Sequence, residues 1–331
     1  MKTIAAALLF FTAMTTQAKP VAIVIHAGAG RIDRDSFTPE HERLYHATLE
    51  QSLRAGHAIL KGGGSALDAV EAATVIMEDA PVFNAGKGAV FTAEGKNELD
   101  ASIMDGRALQ AGAVGGVTTV KNPIRAARAV MEKSPHVLFT NRGAEKFADD
   151  NGLEMVDPKY FFTERRWKQI QTWLKQQEAK AKPRAAAEPD RHADYFSTVG
   201  CVALDAKGNI AASTSTGGMT GKRFGRIGDS PMRPKRSYAN NKTCGISCTG
   251  HGEYFIRHAV AHDISARIAY KKESLAKAAR DVVQTVLKQA GGSGGIIGLD
   301  AQGNVVMEFN TNAMTRGSIG PDGILKTAIF K

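Results

Sequence analysis

The hydrophobic pattern opens with a short continuous apolar run, Val21-Ala-Ile-Val-Ile25, which predicts a buried strand. Thr38-Pro39 follows, a capping hydroxyl with proline in the first turn. Leu44, Leu49, Leu53, Ile59 and Leu60 then recur along a helix that ends at the glycines from Gly62. Ser65, with Asp68 three residues on, starts a second helix carrying Leu67, Val70, Val75, Ile76 and Met77. A third begins at Asn122-Pro123 and includes Ile124, Ala127, Val130 and Met131. Between them, residues 83–104 read as loops and short strands broken at Glu94-Gly-Lys-Asn97. The first half is therefore mixed, with helices outside and strands inside.

The second half repeats a pattern. Val202-Ala-Leu-Asp-Ala-Lys-Gly-Asn209 and Ile297-Gly-Leu-Asp-Ala-Gln-Gly-Asn304 each lead into another apolar run, 210–215 and 305–309. Asp and Gly at those offsets suit a hairpin loop that needs positive φ. Helices are expected over about 253–270 and 274–290, the second with Leu275, Ala279, Val282, Val286 and Ala290 on one face. Residues 175–197 are rich in Lys, Gln, Ala, Glu and Pro, and the unstructured stretch is taken to begin near 168. It stops abruptly at Thr198, where a strand-like run, Thr198-Val-Gly-Cys-Val-Ala-Leu-Asp205, begins.

Composition adds a compartment. Residues 1–18 read as a secretory leader: Lys2, an apolar stretch over 4–14 too short to span a bilayer, and a small-residue cleavage site at Thr16-Gln17-Ala18. This places the mature chain in the periplasm. The formal charge is +10, from 43 Lys+Arg against 33 Asp+Glu. Part of the excess lies between 165 and 191 with no aromatic–basic interleaving, so neither nucleic acid nor membrane is expected as a partner. The three cysteines do not make a disulfide framework, and buried thiols are the expectation.

An N-terminal threonine is a self-sufficient catalyst. Cleavage before Thr198 would leave an α-amine, titrating near 7.7–8.0, beside the residue's own hydroxyl. Four clusters follow within about fifty residues: Thr198-Val-Gly200, Ser213-Thr-Ser-Thr-Gly-Gly218, Gly225-Arg-Ile-Gly-Asp-Ser-Pro231 and Cys248-Thr-Gly-His-Gly-Glu253. Singly each has a plain reading as hydroxyl-rich strand, turn or helix entry. In this order they resemble the plant-type asparaginase / isoaspartyl peptidase family, N-terminal nucleophile hydrolases related to glycosylasparaginase. His26-Ala-Gly-Ala-Gly30, Val82-Phe-Asn-Ala-Gly-Lys-Gly-Ala-Val-Phe91, Glu98-Leu-Asp-Ala101 and Ser134-Pro-His-Val137 extend the likeness over nearly the whole mature chain.

The resemblance implies an α+β fold, a four-layer αββα sandwich. It implies self-cleavage between Ser197 and Thr198 into an α subunit, 19–197, and a β subunit, 198–331, which together build one domain. Thr198 is then nucleophile and base, supported by Thr216 with Asn84 nearby. Thr249 and Gly250 hold the oxyanion. Arg226 takes the substrate α-carboxylate, and Asp229 with the backbone of Gly252 takes the α-ammonium. An opposed Arg and Asp suit a zwitterionic head group independently of the family. No catalytic cofactor is implied. Backbone carbonyls over 77–87, from Met77 to Lys87, are implied to hold a structural sodium ion, and the cleaved units to pair as a heterotetramer. The expected reaction is hydrolysis of β-aspartyl dipeptides and of L-asparagine to aspartate and ammonia.

Two departures qualify the likeness. Ser197 stands where many relatives have glycine, and its Cβ restricts a strained backbone, so slower processing is expected. His251 stands inside the substrate loop where threonine is common, pointing either to altered selectivity or to solvent. The rivals are a glycosylasparaginase-type amidohydrolase and an unprocessed, non-enzymatic periplasmic binding protein. Other motifs carry less. Gly28-Ala-Gly30 lacks the third glycine of a dinucleotide loop and predicts a tight turn. His258 and His262 lack a third metal ligand. Gly245-Ile-Ser-Cys-Thr249 lacks the closing glycine of a nucleophile elbow. Glu253 reads as a helix start.

Overall fold

The computed structural model describes residues 20–31, 34, 37–181, 195–196, 198–232 and 236–331. The expected leader, Ser197 and residues 182–194 of the expected linker lie outside the described residues. In chain order the first half runs β1 (Ala22–Gly30), α1 (Pro39–Lys61), α2 (Ala66–Asp79), β2 (Leu99–Asp105), β3 (Gln110–Val117), α3 (Pro123–Lys133), β4 (Leu138–Thr140), α4 (Asn141–Asp150) and α5 (Glu164–Ala181). The second half runs β5 (Tyr195–Phe196), β6 (Val199–Leu204), β7 (Ile210–Thr216), β8 (Ser237–Ala239), β9 (Cys244–Gly250), α6 (Gly252–His258), α7 (Val260–Lys271) and α8 (Leu275–Arg280). It closes with β10 (Gly294–Asp300), β11 (Val305–Phe309), β12 (Ala313–Ile319) and β13 (Leu325–Phe330).

Two sheets form the centre. The larger has the order β13-β12-β1-β6-β7-β2-β3-β4, with β5 also paired to β1; the smaller has the order β11-β10-β9-β8. Only β3 and β4 pair in parallel among the described strands. Helices α1, α2 and α3 cover the outer face of the large sheet, through a core that includes Leu49, Leu53, Val70, Met77, Phe83 and Ile103. The two sheets meet over Val24, Val202, Ile210, Ile297, Leu299 and Met314. Helices α6–α8 cover the small sheet over Ile246, Phe255, Ile264, Val283 and Ile296. The result is four layers, helix–sheet–sheet–helix. The central strands are buried on both faces, which is why they read as continuous apolar or hydroxyl runs rather than alternating ones.

Local signals place the elements. Thr38 Oγ1 accepts from His41 N at 3.2 Å, and Ser65 Oγ accepts from Asp68 N at 3.1 Å, closing the starts of α1 and α2. The echo becomes two matching hairpins, β6–β7 in the large sheet and β10–β11 in the small one. In the first, Asp205 Oδ1 accepts from the backbone of Lys207 and Asn209, each at 2.9 Å; in the second, Asp300 Oδ1 accepts from Gln302 and Asn304, each at 3.0 Å. Gly208 at φ 83° and Gly303 at φ 81° take the positive-φ positions.

Several expectations are corrected. The stretch from about 168 is not linker from its start: α5 carries the chain to Ala181, with Ile170 and Arg166 buried and Arg166 Nε donating to Gly88 O at 2.8 Å. Its polar composition hid those anchors. The turn expected at Gly28 is strand instead, with Gly28 at φ 118° inside β1 where the register against β12 shifts. The helix over 253–270 breaks at Ala259, which sits at φ 46° between α6 and α7. The last helix turns to π geometry over Asp281–Leu287, so Leu287 is buried while Val286 and Ala290 lie at intermediate exposure. Leu44 is 46% exposed, the core face of α1 being carried by Tyr45, Leu49, Leu53 and Leu60. Cys201, Cys244 and Cys248 are free and buried.

Candidate active site

Thr198 stands just before β6, which lies between β1 and β7 in the large sheet, and it is 4% exposed. Its Oγ1 lies 3.0 Å from Thr216 Oγ1 at the end of β7. Gly218 N donates to the same Thr216 oxygen at 3.0 Å, leaving the Thr216 hydrogen free to point at Thr198. Asn84 acts one step further back. Its Nδ2 donates to Gly218 O at 2.8 Å, its Oδ1 accepts from Val90 N at 2.9 Å, and its backbone O accepts from Gly217 N at 3.1 Å. It pins the 217–218 turn to the first half of the chain.

The hydroxyl run of β7 is wholly buried, and the two-residue period of a strand divides it between layers. Ser213 and Ser215 face α2, with Ser213 Oγ 2.8 Å from Thr74 Oγ1 and Ser215 Oγ donating to Glu78 Oε1 at 2.6 Å. Burial pushes the Glu78 carboxyl up to about 8, against the opposing pull of the Ser215 bond. Thr214 faces the second sheet and Thr216 the nucleophile.

A narrow pocket is lined by Thr198, Thr216, Arg226, Asp229, Gly250 and Gly252, among others. The structure thus brings the expected nucleophile, its support and both head-group residues to one tight cavity. Thr249 is fully buried at the end of β9, next to Gly250. Gly250 has φ 146°, and a Cβ there would lie 2.4 Å from Ser293 O, so only glycine fits at this point of the pocket lining. Gly252 is equally constrained: a Cβ would lie 2.6 Å from Asp229 Oδ1 and 3.2 Å from an Arg226 amino group.

Three partners of the site were not legible beforehand. Glu253 Oε1 accepts from Arg226 Nε at 2.8 Å, so it fixes the guanidinium as well as starting a helix. Burial raises the Glu253 carboxyl, but the bond and charge of Arg226, with smaller help from its own backbone N–H and His251, together hold the group below its ordinary value. His251 Nε2 lies 3.3 Å from Glu253 Oε2. Arg236 is 3% exposed, donates through Nε to Cys248 O at 2.7 Å and through Nη1 to Asp229 Oδ1. Burial raises the Asp229 carboxyl, opposed by the Arg236 charge.

His26 is the third. Its Nδ1 bonds Thr198 O at 2.9 Å and its Nε2 lies 3.0 Å from Ser247 Oγ. Burial, then the charge of Arg236, lowers its pKa to about 3, so the ring is neutral. A carbonyl only accepts, so Nδ1 carries the hydrogen and Nε2 is an acceptor facing the Ser247 hydroxyl, whose single hydrogen also lies within reach of Ser213 O at 3.0 Å. Ser247 Oγ in turn lies 2.8 Å from Thr214 Oγ1, and a polar chain runs from the sheet interface to the nucleophile's carbonyl. Gly200 makes the space: a Cβ there would lie 2.4 Å from His26 Nε2. The only early signal was His26 in a quoted family segment.

Upstream of Thr198 the chain still follows β1. Ala29 pairs with Phe196 and His26 with Gly200, so β1 advances by three residues while the opposing chain advances by four. The register slips by one residue across the bond expected to be cut.

A threonine opening an inner strand of a four-layer sandwich, with its hydroxyl in a small charged pocket, defines a hydrolase of the N-terminal nucleophile superfamily. Comparison with known proteins narrows this. The asparaginase family model (Asparaginase_2) matches residues 18–329. The isoaspartyl peptidase of Escherichia coli strain K12 is 47% identical over 294 residues, covering 89% of this chain and 91% of that protein. A probable isoaspartyl peptidase/L-asparaginase of Arabidopsis thaliana is 40% identical, covering 94% and 99%. The human isoaspartyl peptidase/L-asparaginase is 39% identical, covering 89% and 91%. The chain belongs to the asparaginase family.

Proposed function

We propose that the protein hydrolyses β-aspartyl dipeptides and L-asparagine after cutting itself between Ser197 and Thr198. The observation that carries this is the Thr198–Thr216 hydroxyl contact inside the pocket that also holds Arg226 and Asp229. In the first reaction Thr198 Oγ1 attacks the Ser197 carbonyl. The peptide C–N bond breaks as the ester C–O bond forms, which frees the Thr198 amine, and water then hydrolyses the ester, releasing the Ser197 carboxylate and restoring the Thr198 hydroxyl. The one-residue register slip between Phe196 and Gly200 supports this reading.

In the second, Arg226 and Asp229 hold the substrate's α-carboxylate and α-ammonium, presenting its side-chain carbonyl to Thr198. Oγ1 attacks that carbon while its proton passes to the free amine. The Thr249 hydroxyl and Gly250 N–H hold the oxyanion. Collapse expels ammonia or an amino acid, which takes the proton back. Water hydrolyses the resulting ester and aspartate leaves.

The segment over 77–87, with Gly88 beside it, supports a structural cation. A Cβ at Gly86 would lie 2.3 Å from Glu78 O, and one at Gly88 would lie 2.0 Å from Phe83 O and 2.7 Å from Pro81 O, so backbone oxygens crowd the inside of this turn. Carbonyl oxygens are the donors a hard cation takes. Residues 1–18 would deliver the precursor to the periplasm, and two cleaved units would pair as a heterotetramer.

The test is a Thr198→Ala variant beside the wild type. The wild type is expected to run as two fragments on a denaturing gel and to turn over β-Asp-Leu and asparagine. The variant is expected to stay intact and inactive. Activity in an intact Thr198→Ala chain would overturn the proposal. Preference for N-acetylglucosaminyl-asparagine would move it to the glycosylasparaginase reading.

A further inference from the structure

Buried charged groups without partners are costly and call for an explanation. Three residues that line the Thr198 pocket each carry a buried polar atom with no hydrogen-bond partner among the described residues: Asp229 Oδ2, Ser230 Oγ and Arg236 Nη2. All three residues are at least nine-tenths buried, Asp229 at 1% exposure and Arg236 at 3%. Elsewhere each is held. Asp229 Oδ1 accepts from Arg236 Nη1, Arg236 Nε donates to Cys248 O, and the Ser230 carbonyl accepts from Ser102 Oγ at 2.6 Å. What remains open in one small cavity is a carboxylate acceptor, a guanidinium donor and a hydroxyl.

We infer that Arg236 is a specificity-determining residue: it clamps Asp229 by one oxygen so that the other faces the ligand ammonium, and its own free Nη2 donates to the ligand α-carboxylate alongside Arg226. The inference rests on the functional reading above and extends it. The head-group site then has two cations around one anion, and the Ser230 hydroxyl is a further hydrogen-bonding partner for the same ligand. A zwitterion with one carboxylate and one adjacent ammonium meets this arrangement. A ligand lacking the ammonium leaves Asp229 Oδ2 unpaired.

Arg236 also sets the pH range of the site. Asp229 must be ionised to hold an ammonium, burial raises its carboxyl, and Arg236 is the strongest opposing influence. The other groups facing it are Arg226 and Cys248, with Glu253 behind Arg226.

The experiment measures calorimetric binding of L-aspartate and of succinate, and kcat and KM on asparagine, for the wild type, Arg236→Met and Arg236→Lys. All three are first checked for a cooperative thermal transition. In Arg236→Met, L-aspartate affinity is expected to fall at least about tenfold and KM to rise to match, with kcat within about threefold. The pH below which L-aspartate binding fails should move upward. Arg236→Lys keeps the charge without the fork, so it should restore the pH limb but not the affinity. Should Arg236→Met not fold, the Lys variant alone decides through that split. Binding and pH limb within twofold (about 0.4 kcal/mol) of wild type in a folded variant would overturn the inference. A wild type that neither binds L-aspartate nor turns over asparagine would overturn the functional reading as well.

Discussion

At the scale of single residues, the nucleophile is held from three sides. Thr216 supplies a hydroxyl to its oxygen, His26 holds its carbonyl, and Gly200 leaves room for the imidazole. Replacing Thr216 with Val removes the hydroxyl that meets Oγ1, and kcat should fall about 10²-fold with KM little changed. Steady-state kinetics on asparagine reads this directly. His26 gives a stability prediction. Its pKa is depressed to about 3 from an ordinary 6.5, so the folded state favours the neutral ring. That stability is complete above about pH 6.5 and is lost as pH falls toward 3. The melting temperature should drop across that interval, and a His26→Asn variant, which keeps a donor for Thr198 O but cannot titrate, should show a shallower drop. An equal slope in both would reject the assignment. These roles were only partly legible beforehand. Thr198, Arg226 and Asp229 stand in distinctive motifs. Arg236 stands in none, because a buried counter-ion is defined by what surrounds it in space.

At the scale of elements, the two hairpins share one loop chemistry but differ in burial. Asp205 is buried and also accepts from Ala66 N at 3.2 Å, tying the β6–β7 loop to the start of α2. Asp300 serves its own loop. Asp205→Ala should therefore cost about 2–3 kcal/mol and Asp300→Ala about 1 kcal/mol, measured by denaturant unfolding of otherwise identical protein. The hairpins were readable because Asp-x-x-Gly-Asn sets local backbone geometry wherever it occurs. The π segment over Asp281–Leu287 was not. Apolar spacing fits a regular helix there, and only packing against β10 and β11 decides which residues turn inward. The same holds for α5, whose polar surface conceals its anchors Arg166 and Ile170.

At the scale of the molecule, the four layers explain why the site lies where it does. β6 and β7 are central strands, covered by α2 on one face and by the second sheet on the other, so Thr198 and Thr216 are fixed by the interior rather than by a mobile loop. The charged pocket is completed from the loop after β7 and from the start of α6. Alternation of helices and strands was enough to predict mixed layers. The stacking of two sheets came from the family resemblance, since buried strands of both sheets look alike in sequence. The central claim is that the working nucleophile is the first residue of its own chain. Intact mass spectrometry of fully active protein tests it most directly. The account predicts a species beginning at Thr198 whose abundance tracks activity during maturation, whereas full activity from a chain still continuous through Ser197 and Thr198 would contradict it.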